Sequence, residues 1–192
     1  PVGLAGGDIF RSGFDGPYVA VIQLLDTSFT LIDQGTHTTA AYNATDFEPP
    51  AALFSPPHAD SGLDTDVPPD ALYDFLLVNA SVTVNRAGTF RVDGVLLDAG
   101  LNFVTFTSAV ATLGTGPGTI SLEYLGRDIF TAGADGPYTV LMTLTGATGF
   151  LDQNVYGTGA YTFDEFEEPP ATFSPPHSDQ GVDLTVPPDG RF

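Results

Sequence analysis

Apolar and polar residues alternate along most of the sequence with the two-residue period of half-buried β-strands. The clearest alternations are Val82 and Val84, Phe90 and Val92, Val104 and Phe106, then Ile120, Leu122 and Tyr124, then Tyr138, Val140, Met142 and Leu144. No stretch carries apolar residues at the 3.6-residue spacing of an amphipathic helix. Turn signals such as Asn85 to Gly88 and Asp135 to Pro137 separate the strands. The pattern predicts short strands joined by tight turns, as in an all-β antiparallel sandwich.

The sequence contains one long internal repeat. The segment DIFRSGFDGPY at Asp8 to Tyr18 returns as DIFTAGADGPY at Asp128 to Tyr138, an offset of 120 residues. The later pairs are LIDQ with FLDQ, TDFEPP with DEFEEPP, and two copies each of SPPH and VPPD. A period of this length is one domain long. Since residues 73–120 have no earlier counterpart, we expect an incomplete module followed by a complete one.

This phase predicts tandem β-sandwiches joined by Pro-rich linkers, divided into four segments. Residues 1–50 form an incomplete module that lacks its front strands, 51–71 a linker rich in Pro and Asp, 72–168 a complete module, and 169–192 a Pro-rich linker or donor tail. Paired prolines remove backbone donors and favour extended connectors. We interpret the repeated DIF phrase as a core plug followed by a turn.

Charge and composition exclude several partners. Twenty-four acidic residues face five basic ones, all arginine, for a net charge of −19, and the chain has no cysteine. Such a charge repels phosphate backbones and anionic lipids, so we expect no nucleic-acid partner. No apolar run reaches the roughly eighteen residues of a membrane span, so no membrane insertion is expected. The absence of Lys also excludes lysine isopeptide cross-links.

The stretch DTDVPPDALYD is the strongest candidate for metal chemistry. It places Asp64, Asp66, Asp70 and Asp74 within eleven residues. Calcium binds six to eight hard oxygen ligands, and closely spaced carboxylates can converge on one ion. The helix-flanked EF-hand pattern is not met, because Val67 to Pro69 stands where a third Asp and a Gly belong. Calcium is the only cofactor we expect, and the alternative is that these aspartates solvate a linker.

Three motifs together resemble the tandem immunoglobulin-like β-sandwich modules of secreted and cell-surface proteins of bacteria and archaea. They are the Asp-rich loop at residues 64–74, AGTFRV at 87–92 and GRDIFTAGADGPY at 126–138. The resemblance covers residues 64–166 and part of 1–50. It implies extracellular scaffolding or filament building, with calcium in the opening loop.

Other candidate sites are sparse. The sequons at Asn43 and Asn79 predict N-glycosylation if the chain is secreted. His37, His58 and His177 lack zinc-site spacing and are assigned to linker contacts or solvent. No nucleophile elbow, phosphate loop or catalytic metal signature is present, so we expect no catalytic residues and no enzyme.

A structural function follows from the incomplete first module. An uncovered sheet edge recruits a strand from elsewhere, and a contact that does not close builds a fibre. We expect a filament subunit, extracellular or at the cell surface, that polymerises with copies of itself head to tail. The predicted donors are Val78 to Val84 or the tail Gly181 to Phe192. The alternatives are a calcium-stabilised adhesive or accessory module of a larger secreted protein, and a carbohydrate-binding sandwich using Tyr42, Tyr156 and Tyr161.

Overall fold

The computed structural model describes residues 3–171. The helices are α1 (Gly6–Ser12) and α2 (Gly126–Ala132), with 3-10 turns at Ala44–Asp46 and Phe163–Glu165. The strands are β1 (Val19–Leu25), β2 (Leu31–Thr38), β3 (Ala52–Phe54), β4 (Ala59–Leu63), β5 (Phe75–Val84), β6 (Gly88–Leu97), β7 (Phe103–Leu113), β8 (Gly116–Leu125), β9 (Thr139–Gly146) and β10 (Gly149–Gly157). The predicted donor tail Gly181 to Phe192 lies outside the described residues.

Strands β3 to β10 form a β-sandwich of two antiparallel sheets, which confirms the predicted all-β antiparallel sandwich. One sheet has the order β10-β9-β6-β7. In the other sheet, β8 pairs with one side of β5, and β3 and β4 share the opposite side. Hairpin β1-β2 forms a separate two-stranded sheet.

The core lies between the two sheets of the sandwich. Strands β5, β6, β8 and β9 bury alternate residues, as their sequence period predicts. In β7 the prediction is wrong for Phe106, which is 51% exposed while its neighbour Thr105 is buried. Val104 is partly buried and packs against the core. Small residues such as Ala109 and Ala111 line the rest of the inner side of β7, so its sequence does not reveal which face is buried.

The predicted linker at 51–71 is wrong over two stretches, because β3 and β4 belong to the sandwich. Ala52 and Phe54 are buried in the core and flank a residue that points outward. Pro56 and Pro57 lie between the two strands, where no ladder hydrogen bond needs their missing N–H groups. The complete module therefore begins at Ala52 rather than at residue 72.

The repeated DIF phrase forms short helices rather than a simple turn. Each helix ends at a glycine in the left-handed conformation, with φ of 64° at Gly13 and 62° at Gly133. Ile129 is fully buried in the core, as the plug interpretation predicts. Seven residues are too few to display a helical apolar stripe, which is why periodicity missed these helices.

Candidate functional site

Hairpin β1-β2 and its flanks reproduce one half of the complete module. We call residues 6–47 the half-module; their repeat counterparts are residues 126–166. Both copies contain the same local hydrogen bonds. In the half-module they are Tyr18 N–H to Thr39 Oγ1 (2.9 Å), Tyr18 O–H to Phe14 O (2.7 Å), Gly16 N–H to Tyr42 O (2.7 Å) and Ala44 N–H to Asp15 Oδ1 (2.8 Å). In the complete module the corresponding bonds, in the same order, are Tyr138 N–H to Thr158 Oγ1 (2.9 Å), Tyr138 O–H to Ala134 O (2.8 Å), Gly136 N–H to Tyr161 O (2.8 Å) and Phe163 N–H to Asp135 Oδ1 (3.0 Å). The half-module therefore has the local geometry of a sandwich half.

The two copies differ in what covers their apolar side chains. Leu144 is 0% exposed in β9, whereas its counterpart Leu24 in β1 is 59% exposed. The same contrast holds for Met142 and Ile22 (1% and 44%) and for Leu151 and Ile32 (5% and 62%). We call the surface formed by Ala20, Ile22, Leu24 and Ile32 the open face. It is the inner face of a sandwich without its opposite sheet.

The backbone edge of β1 is open as well. Strand β9 pairs with β10 on one side and with β6 on the other. Its counterpart β1 pairs with β2, and among residues 3–171 no second strand pairs with it. An unpaired edge beside an uncovered apolar face is a typical site for strand addition.

In the complete module, residues 52–125 close over the counterpart of the half-module, and several polar contacts join the two parts. Four of them are Gly126 N–H to Asp74 O (2.6 Å), Tyr73 N–H to Glu165 O (2.8 Å), Phe54 N–H to Asp152 Oδ2 (2.9 Å) and Thr105 O–H to Asp128 Oδ2 (2.9 Å). The half-module has Gly6, Asp46, Asp33 and Asp8 at the positions that Gly126, Glu165, Asp152 and Asp128 occupy in the complete module. No segment equivalent to 52–125 lies over them in the described structure.

The half-module is held against the sandwich by a short joint. Arg11 donates a hydrogen bond to the carbonyl of Leu151, and its guanidinium lies 4.6 Å from the centre of the Phe150 ring. Asn85 Nδ2 donates to Pro50 O at 2.8 Å. Arg11 belongs to helix α1, and Pro50 belongs to the segment that follows the half-module. These contacts therefore leave the open face exposed.

Asp60 fastens β4 to the other end of the sandwich. Its carboxylate accepts hydrogen bonds from the hydroxyls of Tyr156 and Tyr161 and from Gly159 N–H. Burial and the hydrogen bond to Asp60 raise the pKa of Tyr156 to about 12. Two of the three tyrosines considered for a sugar platform are thus used internally, and Tyr42 lies in the half-module.

His58 lies beside this network, in contrast to its predicted linker or solvent position. It is 8% exposed, and its Nδ1 accepts a hydrogen bond from Ser81 N–H at 3.1 Å. Nε2 is buried without a hydrogen-bond partner in the described part of the chain. Burial lowers the pKa of the imidazole. The prediction failed because β3 and β4, which flank His58, were taken for a linker.

The predicted calcium ligands come together, though in two groups. Oxygen atoms of Asp64, Asp66 and Asp70 lie within 4.8 Å of one another, and so do those of Asp66, Asp74 and Glu167. Glu167 was not predicted, because it is about a hundred positions from Asp66 in sequence. The parallel bridge between Tyr73 and Phe166 brings it to the loop. Either group could hold a metal ion through hard oxygen ligands.

The electrostatics of this acidic loop are uneven. Thr65 donates to Asp74 Oδ2 from its N–H (2.5 Å) and its hydroxyl (2.6 Å), and these bonds lower the pKa of Asp74. Partial burial, together with the charges of Asp74, Asp66 and Asp70, raises the pKa of Glu167. A bound cation would relieve this repulsion.

The two sequons occupy different settings. Asn43 is exposed and caps the 3-10 turn Ala44–Asp46. Asn79 lies in the central strand β5, and its Oδ1 accepts a hydrogen bond from Ser121 Oγ at 2.7 Å. Asn43 is therefore the more accessible of the two.

No family model and no curated protein matches the sequence. The structure is similar to parts of a glycosyl hydrolase family 2 member from Bacteroides cellulosilyticus (TM-score 0.39, 12% identity, covering 73% of this chain and 24% of that one). It is also similar to parts of a β-glucuronidase from glycoside hydrolase family 2 (0.35, 8%, covering 55% and 12%) and of a β-glucuronidase from Ruminococcus gnavus (0.29, 16%, covering 57% and 16%). The chain spans less than a quarter of the length of these enzymes, and the likeness carries no argument about activity.

Neither of the helices found within residues 3–171 is long and apolar enough to cross a lipid bilayer.

Proposed function

We propose that this protein is a structural building block of an extracellular filament or surface fibre, whose β-sandwich modules join head to tail by strand complementation. The observation that carries this proposal is the contrast between Leu144, fully buried, and its repeat counterpart Leu24, which is 59% exposed. The same sequence pattern is used twice, once inside a closed sandwich and once on an open face. A surface of this kind gains free energy when another polypeptide covers it.

The local order of the half-module supports complementation. Its hydrogen bonds already match those of residues 126–166, so a docking partner would not have to organise it. Such preorganisation lowers the entropic cost of association. Of the two predicted donors, Val78 to Val84 is part of β5, which is paired on both sides and is therefore not free. The other, Gly181 to Phe192, lies outside the described residues.

Association of the full chain through the open face tests the proposal. We expect sedimentation velocity and negative-stain microscopy to show head-to-tail oligomers that lengthen with concentration. Ile22→Asp places a charge on the open face and should abolish association. Gln34→Asp is the matched control, since Gln153, its counterpart, is exposed in the complete module. A chain that stays monomeric, or that associates equally well with Ile22→Asp, would contradict the proposal.

A calcium ion at the acidic loop is the second part of the proposal. The two clusters of acidic residues share Asp66, and Glu167 connects the acidic loop to the end of the complete module. A ligand that binds only the folded state stabilises it by about 2.7 kcal/mol at a hundred times its Kd. We therefore expect calcium to raise the melting temperature and a chelator to reverse the rise.

The shared carboxylate gives a sharp calcium test. Asp66→Asn should remove most of the calcium-dependent rise, whereas Glu123→Gln, an exposed acid on β8, should leave it unchanged. Equal loss in both variants would indicate general charge screening. A chain that binds calcium but does not associate would favour the alternative, a calcium-stabilised adhesive or accessory module of a larger secreted protein.

An extracellular location and glycans on Asn43 and Asn79 belong to the same proposal. Mass spectrometry of the native protein, before and after enzymatic removal of N-glycans, tests both sequons. We assign no catalytic role to the chain.

A further inference from the structure

We propose that the occupant of the open face is a segment patterned like residues 52–120, which we call the front segment, and that its β6-like strand pairs with the free edge of β1 in a defined register. This inference rests on the proposed complementation of the half-module. It specifies which part of a neighbouring repeat closes the sandwich.

The register follows from the complete module. Strand β6 pairs antiparallel with β9, with Leu97 opposite Thr139 and Arg91 opposite Thr145. Subtracting the repeat offset of 120 transfers these pairs to β1. The expected partners of the front segment are Leu97 with Val19, Leu96 with Ala20, Val95 with Val21, Gly94 with Ile22, Asp93 with Gln23 and Val92 with Leu24. This register places Ala20, Ile22 and Leu24 on the inner face.

A steric slot at the start of α1 matches the same occupant. At Gly126, a Cβ atom would lie 2.2 Å from the carbonyl oxygen of Tyr73, so only glycine fits beneath the front segment. At Gly6, its counterpart, the nearest atoms to an added Cβ would belong to the Phe47 side chain, at 3.4 Å or more. The half-module thus has glycine at the position where a front segment would bring its backbone, although nothing in the described structure fills that space.

A closed sandwich is a poor donor of this segment. Its own β6 lies between β7 and β9, and its own β5 is paired on both sides. Lending residues 52–120 to a neighbour would open its own core, where Leu76, Val78 and Leu96 are fully buried. Each chain would then gain one closed sandwich and lose another. Head-to-tail assembly therefore takes the front segment from a neighbour whose own module is not yet closed.

A chain extended in register tests this inference. A second copy of residues 52–120 is joined to Pro1 of the full chain, so that Pro1 takes the position of Ser121. The probe is this added segment, held at high effective concentration by its peptide bond. Hydrogen exchange is measured for the amides of β1 in the extended and the original chain, with melting temperature and sedimentation velocity in parallel.

We expect exchange in β1 to slow by about 100-fold or more in the extended chain, because its amides enter a closed sheet. Gly6→Ala should remove this protection, since the added Tyr73 carbonyl would occupy the slot. Gly7→Ala is the matched control, because its counterpart is the exposed Arg127, whose side chain is accommodated. Without the extension, Gly6→Ala should leave the melting temperature unchanged, which shows that the variant folds.

Three results would overturn the inference. They are an unprotected β1 in the extended chain, protection that survives Gly6→Ala, and protection of β1 already present in the monomeric original chain. Failure of the filament proposal looks different. If the extended chain is protected but the original chain never associates, the occupant is identified and filament formation by this chain is refuted.

Discussion

The repeat offers a matched pair of leucines that measures how much the missing sheet contributes. Leu144 and Leu24 occupy equivalent strand positions, and they differ in exposure, 0% against 59%. Truncating each to alanine removes the same atoms from the same local backbone. Any difference in stability between Leu144→Ala and Leu24→Ala therefore reports what covers the side chain.

The expected difference is large. Leu→Ala in a closed core costs about 2–5 kcal/mol, as lost burial plus the cavity left behind. For a domain of this size the melting temperature should fall by roughly 6–20 °C in Leu144→Ala. A surface substitution stays within about 0.5 kcal/mol, so Leu24→Ala should melt within a few degrees of the parent chain, by the same conversion.

Circular dichroism suits the measurement, because the chain has no tryptophan for fluorescence. Thermal and urea melts are recorded at a low concentration where sedimentation shows a monomer. If Leu24→Ala destabilises the monomer as much as Leu144→Ala does, then something covers β1 and the open face does not exist. If neither variant is destabilised, β9 is not part of a packed core.

Three further predictions concern the closed sandwich. Gly94→Ala should lower the free energy of unfolding by about 1–3 kcal/mol through overpacking, because its Cβ would lie 2.2 Å from the Tyr124 hydroxyl. In the same thermal and urea melts Gly157→Ala should be neutral, because an added Cβ there has no neighbour within 4 Å. Since the pKa of His58 is lowered below its ordinary value of 6.5, the unfolded chain binds a proton before the folded chain as pH falls. Stability should therefore drop below about pH 6.5, and urea melts across pH should show a smaller drop in His58→Gln. Asp60→Ala removes the acceptor for two tyrosine hydroxyls and should lower the free energy of unfolding by about 1.5–3 kcal/mol, whereas Asp60→Asn should lower it less. Equal stability of the parent chain and both variants would refute the anchoring role of Asp60.

Local pattern was enough to locate most of the sandwich strands. Alternation placed Val140, Met142 and Leu144 in the core because large apolar residues there alternate with polar ones. In β7 most inward positions are Thr and Ala, so the larger Phe106 misled the assignment of the buried face. Periodicity reports size and polarity along one strand, whereas the buried face is decided by the opposite sheet.

Contacts between segments distant in sequence could not be predicted from the local pattern. The prolines around His58 favoured a linker, and only pairing with β5 shows that β3 and β4 are edge strands. Glu167 joins the acidic loop because its backbone pairs with Tyr73, a contact that no spacing rule reveals. The phase of the repeat did predict an incomplete first module, but the exposure of Leu24 and Ile22 required the three-dimensional arrangement.

The joint between the half-module and the sandwich has a mechanical consequence. Only residues 48–51 separate Phe47 from β3, a span of at most about 14 Å when extended. Arg11 on one side and Asn85 on the other clamp this short crossing. Successive modules joined in this way would resist bending and twisting. A filament built from them would therefore behave as a stiff rod with a fixed rotation per module.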